Sequence, residues 1–194
     1  GIIDILDAFD AVGDGRATTL AYALATAYHE TAKSMKPVKE TVMPWHKDKN
    51  PSDAEVVRRI DAWAAKKGRT TNIYWRVDPE TGRAYFGRGF VQLTWKHNYL
   101  NSSADAGEDL VRYPEFMLDP FISARVLIRG LMDGRWNAKG KGIAHYLPHD
   151  LQNARRTVNV TDKWQDVAKH YEAFLAALQA GGMATVAKPA LPID

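Results

Sequence analysis

Two acidic side chains near the start of the chain have the types and the setting for hydrolytic chemistry: Glu30, beside His29 at the end of an apolar run, and Glu40, beyond Pro37. In LAYALATAYHETAKSMKPVKE, residues 20–40, Leu20, Leu24, Ala27, Tyr28, Thr31 and Met35 recur at spacings of three and four, which predicts a helix over about 17–35. Thr19 to Thr26 are small or apolar, so most of its surface should be buried. A carboxyl group directly after such a run is expected to resist ionisation, because burial disfavours the charged form. A general acid that holds its proton near neutral pH needs that property. Pro37 lacks an N–H donor and disfavours the α conformation at Lys36, so it is expected to end the helix. Glu40 then falls on an irregular segment, where it can face Glu30 across a cleft. By itself, a helix-end carboxylate is more commonly half of a structural ion pair.

Other chemistries fit less well. His29-Glu30 begins the zinc-peptidase pattern HExxH, but Lys33 stands where the second histidine belongs. His145 and His149 are separated by Pro148, which works against a shared helix face. There is no cysteine, and no G-x-S-x-G nucleophile turn. Gly87-Arg88-Gly89 lacks the Lys-Ser/Thr of a phosphate loop and the fingerprint of a dinucleotide turn. Neither a metal nor a cofactor is expected. Hydrolysis by two carboxylates is the chemistry that remains.

A second stretch adds binding groups. In AYFGRGFVQLTWKHNY, residues 84–99, Gln92, Thr94, Asn98 and Tyr99 are a dense set of neutral hydrogen-bonding side chains. Such groups recognise hydroxyls and acetamides in a glycan cleft, or form a polar network that only holds the fold. Trp45, in TVMPWHKDKN, suits stacking on a sugar face or partial burial within its loop. HET at 29–31, MKPVKE at 35–40 and YFGRGFVQLTWKHNY at 85–99 together resemble glycoside hydrolase family 19. That family holds the plant-type chitinases and a phage and bacterial branch that cleaves peptidoglycan. RRTVNVTDK, residues 155–163, resembles the family's late VNG segment. The likeness runs from about residue 5 to residue 178 and is closer to the short phage-type, endolysin form.

The resemblance implies a mainly α, lysozyme-like domain of family 19 chitinase type, with one small β-hairpin beside the active-site cleft. It implies Glu30 as general acid and Glu40 as the base that activates water, with Asp48 and Glu55 as alternatives for the second role. Thr94 matches the hydroxyl that steadies the water, and Gln92, Asn98 and Asn159 match sugar-contacting positions. Val160 stands where the family has glycine, a departure that bears on Asn159. His29, Thr31, Tyr85 and Tyr99 lie within the motifs and are expected to contact substrate with them. The reaction implied is inverting hydrolysis of β-1,4 bonds between aminosugars. Peptidoglycan is the polymer implied for a short, cysteine-free member, so the protein would be an endolysin or muramidase-like enzyme. A chitinase and a non-catalytic wall-binding relative are the alternatives.

The elements that must position these residues follow from patterning. Ile2, Ile5, Leu6, Phe9 and Val12 mark a first helix, ended by Gly13 and Gly15. Ser52 and Glu55 form a capping box for a third, with Val56, Val57, Ile60, Trp63 and Ala64 on its apolar face and Gly68 at its end. The segments 73–77 and 83–86 flank the turn DPETG and predict a β-hairpin. Asp119-Pro120 opens a nearly all-apolar helix over 121–132 that Gly134 ends. A loop is expected over 136–150 and a short helix over 151–157. Thr161 should cap a last helix with Val167, Ala168, Tyr171, Phe174, Leu175 and Leu178 inward. Residues 1–182 would make one catalytic domain and 183–194 an extended or mobile tail.

Composition sets outer limits. With 194 residues, 45% hydrophobic and 25% charged, the chain has the balance of a globular protein. A net charge of +3 favours adsorption to anionic polymers. It is not accompanied by a basic block with interleaved aromatics, so nucleic acid is not an expected partner. No apolar run has the length of a membrane span. The expected protein is a monomer made in a bacterial cytoplasm without a visible signal peptide, and it acts on glycan strands in the periplasm and cell wall. Glu30→Gln should lower turnover on wall glycan by about 10²- to 10⁴-fold, the usual effect of losing a general acid. Circular dichroism should be unchanged; retention of more than about a tenth of the activity removes Glu30 from that role.

Overall fold

The computed structural model describes residues 1–71, 73–137 and 139–183. At its centre is α2 (Ala17–Glu30), in which every residue from Ala17 to Ala27 is buried. Its alanines let neighbouring helices approach closely. α7 (Trp164–Ala180) packs along it, and α1 (Ile2–Val12) and α5 (Pro120–Asp133) close further sides. Leu20, Leu24, Phe90, Leu127 and Tyr171 meet there in the main apolar core.

The central helix stops at Glu30 rather than continuing to Met35. Thr31 occupies the cap, its hydroxyl donating to the Ala27 carbonyl (2.7 Å) and accepting from the Met35 N–H (3.0 Å). Ala32, Lys33 and Met35 take left-handed φ values of 48°, 70° and 51°. The helical spacing persists past Glu30 because Thr31 and Met35 are still buried, but in a tight turn. The chain therefore turns before Pro37 is reached.

The expected hairpin also takes another form. Segments 73–77 and 83–86 share only one bridge, between Val77 and Ala84. Their side chains are used for packing instead: Trp75, Ala84 and Phe86 bury against Val56, Ile60 and Ala64 of α3 (Asp53–Lys66), making a second apolar cluster. The two-stranded sheet pairs β1 (Val38–Lys39) with β2 (Arg88–Gly89), antiparallel, with Val38 opposite Gly89 and Lys39 opposite Arg88. Strands distant in sequence pair here, so local alternation gave no sign of it.

Helix starts follow sequence more closely. The Ser52 hydroxyl accepts from the Glu55 N–H at 3.2 Å, but the Glu55 carboxylate turns to Arg58 and Arg59, so only half of the capping box forms. The Asp119 carboxylate accepts from the Phe121 and Ile122 N–H groups (2.9 and 3.0 Å), and Gly134 ends α5 at φ 66°. α4 (Lys96–Ala106) was not expected, since it turns only Tyr99, Ser102 and Ala106 into the core. The expected loop over 136–150 contains a 3₁₀ turn, Ile143–His145. α6 (Leu151–Ala154) runs into a second, Arg155–Thr157. Lys163, at φ 57°, and not Thr161, precedes α7. Met183 packs on the core and donates its N–H to the Leu178 carbonyl; the rest of the expected tail, residues 184–194, lies outside the described residues.

Arg88 ties these parts together. Its side chain is 0% exposed. One Nη donates to the Ala84 carbonyl (2.9 Å) and the Tyr99 hydroxyl (3.1 Å), and the other to Asp53 (2.6 Å) at the start of α3. The guanidinium lies 3.6 Å from the Phe86 ring centroid. Asp53 also takes Lys39 of β1 at 2.9 Å. Partial burial works against the charge on Asp53, but Arg88 and Lys39 outweigh it and hold the carboxyl below its ordinary value. Arg88→Met should destabilise the protein by about 2–3 kcal/mol, less than for a fully buried pair because Asp53 keeps Lys39 and some solvent. Urea unfolding would measure it, and a loss under about 0.5 kcal/mol, the range of an ordinary surface substitution, contradicts this role.

Candidate active site

A cleft of about 540 Å³ brings together residues from most of the chain, among them Glu30, Glu40, Arg69, Tyr74, Gln92, Thr94 and Asn159. Glu30 enters it from the last turn of α2, where rigid packing behind it fixes its backbone. Glu40 enters immediately after β1, and the ladder continues to it: its N–H donates to the Gly87 carbonyl at 2.7 Å. The two expected acids thus line one cavity, one on a helix end and one on a strand end.

Their surroundings differ from those expected. Glu30 does not meet apolar neighbours alone. The buried Arg155 donates from Nη2 to Glu30 Oε1 at 2.6 Å, and Arg155 Nε is anchored on the Asp162 carbonyl at 3.0 Å. Glu40 carries the burial. Its Oε1 accepts from the Tyr74 hydroxyl (2.7 Å) and its Oε2 from the Gly87 N–H (2.8 Å). Burial pushes the Glu40 carboxyl above its ordinary value, against the opposing pull of Gly87, Tyr74, Arg69 and Arg88. Burial, then the neighbouring Glu40, likewise raises the Tyr74 hydroxyl.

Gly87 is required by close approach. A Cβ there would stand 2.8 Å from Gln92 Oε1 and 3.2 Å from Glu40 Oε2, so both side-chain ends would have to shift to admit it. Gln92 lines the cleft and at the same time clamps the sheet, donating from Nε2 to the Val38 (2.9 Å) and Gly89 (3.1 Å) carbonyls. Thr94 lines the cleft, with Asn98 Nδ2 holding its carbonyl at 3.0 Å; Asn98 supports the wall from behind. Asn159 also lines it, its Oδ1 accepting from the Val160 N–H.

Several expected contacts lie elsewhere. Thr31 is 1% exposed and its hydroxyl is used within the turn after α2. Tyr85 is buried, its hydroxyl donating to the Val111 carbonyl and standing 2.9 Å from the Thr81 hydroxyl. Tyr99 is buried, its hydroxyl donating to the Phe86 carbonyl and accepting from Arg88. None of the three lines the cleft. His29 faces His170 of α7, with ring centroids 6.4 Å apart, and lies outside the cleft lining. Trp45 is 73% exposed, so it is not a buried loop aromatic, and it too is outside the lining. Asp48 caps the Asn50 N–H and Glu55 is held by Arg58 and Arg59, and neither lines the cleft.

Sequence reasoning missed Arg69, Tyr74, Trp95 and Arg155. Arg155 stands in the RRTVNVTDK segment, but nothing local tells which arginine of Arg155-Arg156 turns inward. Tyr74 stands in an aromatic run that suggested a strand. Arg69 lies 5.8 Å from the Tyr74 ring centroid and so places its charge near Glu40.

A helical domain with a short strand pair delivering one of two cleft carboxylates has the lysozyme-like fold of family 19 chitinases. Among solved structures, chitinase C from Streptomyces griseus HUT6037 superposes with a TM-score of 0.58 at 19% identity, over 99% of this chain and 72% of that one. A second bacterial family 19 chitinase gives 0.54 at 20% identity, over 91% and 84%. At these identities the likeness is one of fold. No family profile matches the chain. An endochitinase of Arabidopsis thaliana is 47% identical over 36 residues, 19% of this chain and 14% of that protein. Endochitinase 1 of Theobroma cacao is 46% identical over 43 residues, 22% and 13% respectively. The match thus spans only a small part of the curated relatives.

The raised Glu40 value has a stability consequence of definite sign. The folded chain binds this proton more tightly than the unfolded chain, so that contribution is complete below the ordinary value of 4.5 and is lost as pH rises through the folded value. Glu40→Gln should therefore melt at a higher temperature than the parent at pH 7, with the gap closing as pH falls toward 4.5. Scanning calorimetry across pH tests this; a lower melting temperature at pH 7 means the ionised carboxylate is net stabilising.

Proposed function

We propose that the protein is a glycoside hydrolase that cleaves β-1,4 bonds between aminosugars with inversion, and that its polymer is bacterial peptidoglycan. The observation that carries this reading is the convergence of Glu30, Glu40 and Thr94 on one cleft of about 540 Å³. Glu30 is the general acid. Arg155 engages only its Oε1 among the described residues, which leaves Oε2 to carry the proton given to the leaving oxygen. Glu40 is the base. Both its oxygens already accept a hydrogen bond, an arrangement that favours the ionised form, and each keeps a further lone pair for a water proton. Its raised affinity for protons makes it a stronger base than a solvated carboxylate. The Thr94 hydroxyl accepts a hydrogen bond from that same water.

The protein is accordingly an endolysin-like wall hydrolase, and its place of action is the periplasm and cell wall. The names of its similar structures favour a second polymer, chitin, handled by the same groups. Cleavage of purified peptidoglycan and of chitin oligomers, with products analysed by mass spectrometry, separates the two.

Two results are expected of the mechanism. Proton NMR of the first product from a soluble β-linked oligosaccharide should show the α anomer; an initial β product means retention and excludes Glu40 acting on water. The acid limb of kcat/KM should lie above 4.5, because Glu40 must be ionised and its carboxyl is raised above that value.

A further inference from the structure

Beyond the catalytic cleft lies a second cavity of about 400 Å³. Thr94, Trp95, Asn159 and Val160 line both, so the two are one continuous groove. Trp95 stands at the junction. It holds a left-handed φ of 72°, and its indole is 36% exposed while packing 5.6 Å from the Tyr74 ring. A polarised aromatic face of this kind suits a sugar ring passing from one cavity to the other.

The far cavity has a charge that the catalytic mechanism does not use. The ionisable side chains on its wall are Lys139 and Arg156, both exposed. Among the described residues, the Arg156 guanidinium makes a single hydrogen bond, from Nε to Asn153 Oδ1 at 2.9 Å, which orients the fork without occupying its Nη groups. The carboxylate that senses Arg156 is Asp150, and it is engaged by the Asn153 N–H and Nδ2 at 3.1 and 2.8 Å. Two cations therefore face a groove whose other lining is neutral. A homopolymer of neutral acetamido sugars offers them hydrogen-bond acceptors but no countercharge. A sugar bearing a carboxylate supplies one, and a guanidinium fork matches carboxylate geometry.

We propose that this second cavity is a specificity subsite in which Arg156 and Lys139 receive a carboxylate carried on the aminosugar next to the cleaved bond. The inference rests on the hydrolase reading above and names the feature of the substrate that this site selects. In wall glycan the carboxylate has two sources: the free lactyl group of a peptide-stripped strand, or the acidic residues of an attached stem peptide. Both present the same group to the two cations.

The test uses the full chain and three soluble glycans: peptide-bearing wall fragments, the same fragments stripped of peptide by an amidase, and a chitin oligomer. Arg156→Gln combined with Lys139→Gln removes both charges at exposed positions, so the fold should persist. The preference in kcat/KM for carboxylate-bearing glycan over chitin should fall about tenfold, the scale of two partly screened ion pairs, with the change in KM. Whichever fragment shows the larger loss identifies the source. Equal loss on all three glycans, or no loss on the two charged ones, overturns the subsite while the hydrolase reading stands. If the parent protein cleaves none of the three, the hydrolase reading fails, and the subsite with it.

Discussion

A guanidinium with no contact to solvent needs its charge answered, and both Nη groups of Arg88 find partners from three separate parts of the chain. The Asp53 carboxylate comes from the start of α3, the Ala84 and Phe86 carbonyls from the segment before β2, and the Tyr99 hydroxyl from α4. Lys39 of β1 shares Asp53. The requirement to satisfy one buried cation therefore draws the two apolar clusters together and sets β1 beside β2. The sheet is only two residues long on each side, too short to persist by its own ladder. It holds because Gln92 clamps its carbonyls from one side and the Arg88–Asp53–Lys39 group from the other.

The position of Glu40 depends on that sheet. Its N–H extends the β1–β2 pairing to Gly87, and the Gly87 N–H returns to its carboxylate. One residue, Gly87, thus sets both the backbone and the side chain of Glu40. Glu30 is placed by an independent device, the end of a fully buried helix and a guanidinium from the turn after α6. Two carboxylates held by unconnected scaffolds meet opposite local fields. Arg155 neutralises charge at Glu30, while burial resists charge at Glu40.

Several features of this arrangement were legible in the amino-acid order. The apolar run before Glu30 required a buried helix, the Asp119-Pro120 pair required a helix start, and the three- and four-residue spacing of apolar residues in α7 required an inward face. Each is a local signal, carried by residues within one or two turns of each other. The same order brought Glu30, Glu40, Gln92, Thr94 and Asn159 forward as a set, through motifs rather than through geometry, and all five line the cleft. Motif position did not separate lining from support. Thr31, Tyr85 and Tyr99 stand in the same motifs, yet their hydroxyls are consumed inside the protein.

Only the tertiary structure decided the rest, because the deciding contacts join residues far apart in sequence. Arg155 reaches Glu30, Tyr74 reaches Glu40, and Gln92 reaches Val38. A helix that the spacing extended to Met35 ends at Glu30, since a turn buries Thr31 and Met35 as well as a helix would. A hairpin suggested by two aromatic segments yields to a pairing with β1, since Trp75 and Phe86 gain more by burying against α3 than by lengthening a local ladder. Sequence determined which segments must be buried and which carboxylates were candidates for acid chemistry. The fold determined which of them face one another, because burial is satisfied by many local geometries but a buried charge only by the one that brings its partners to it.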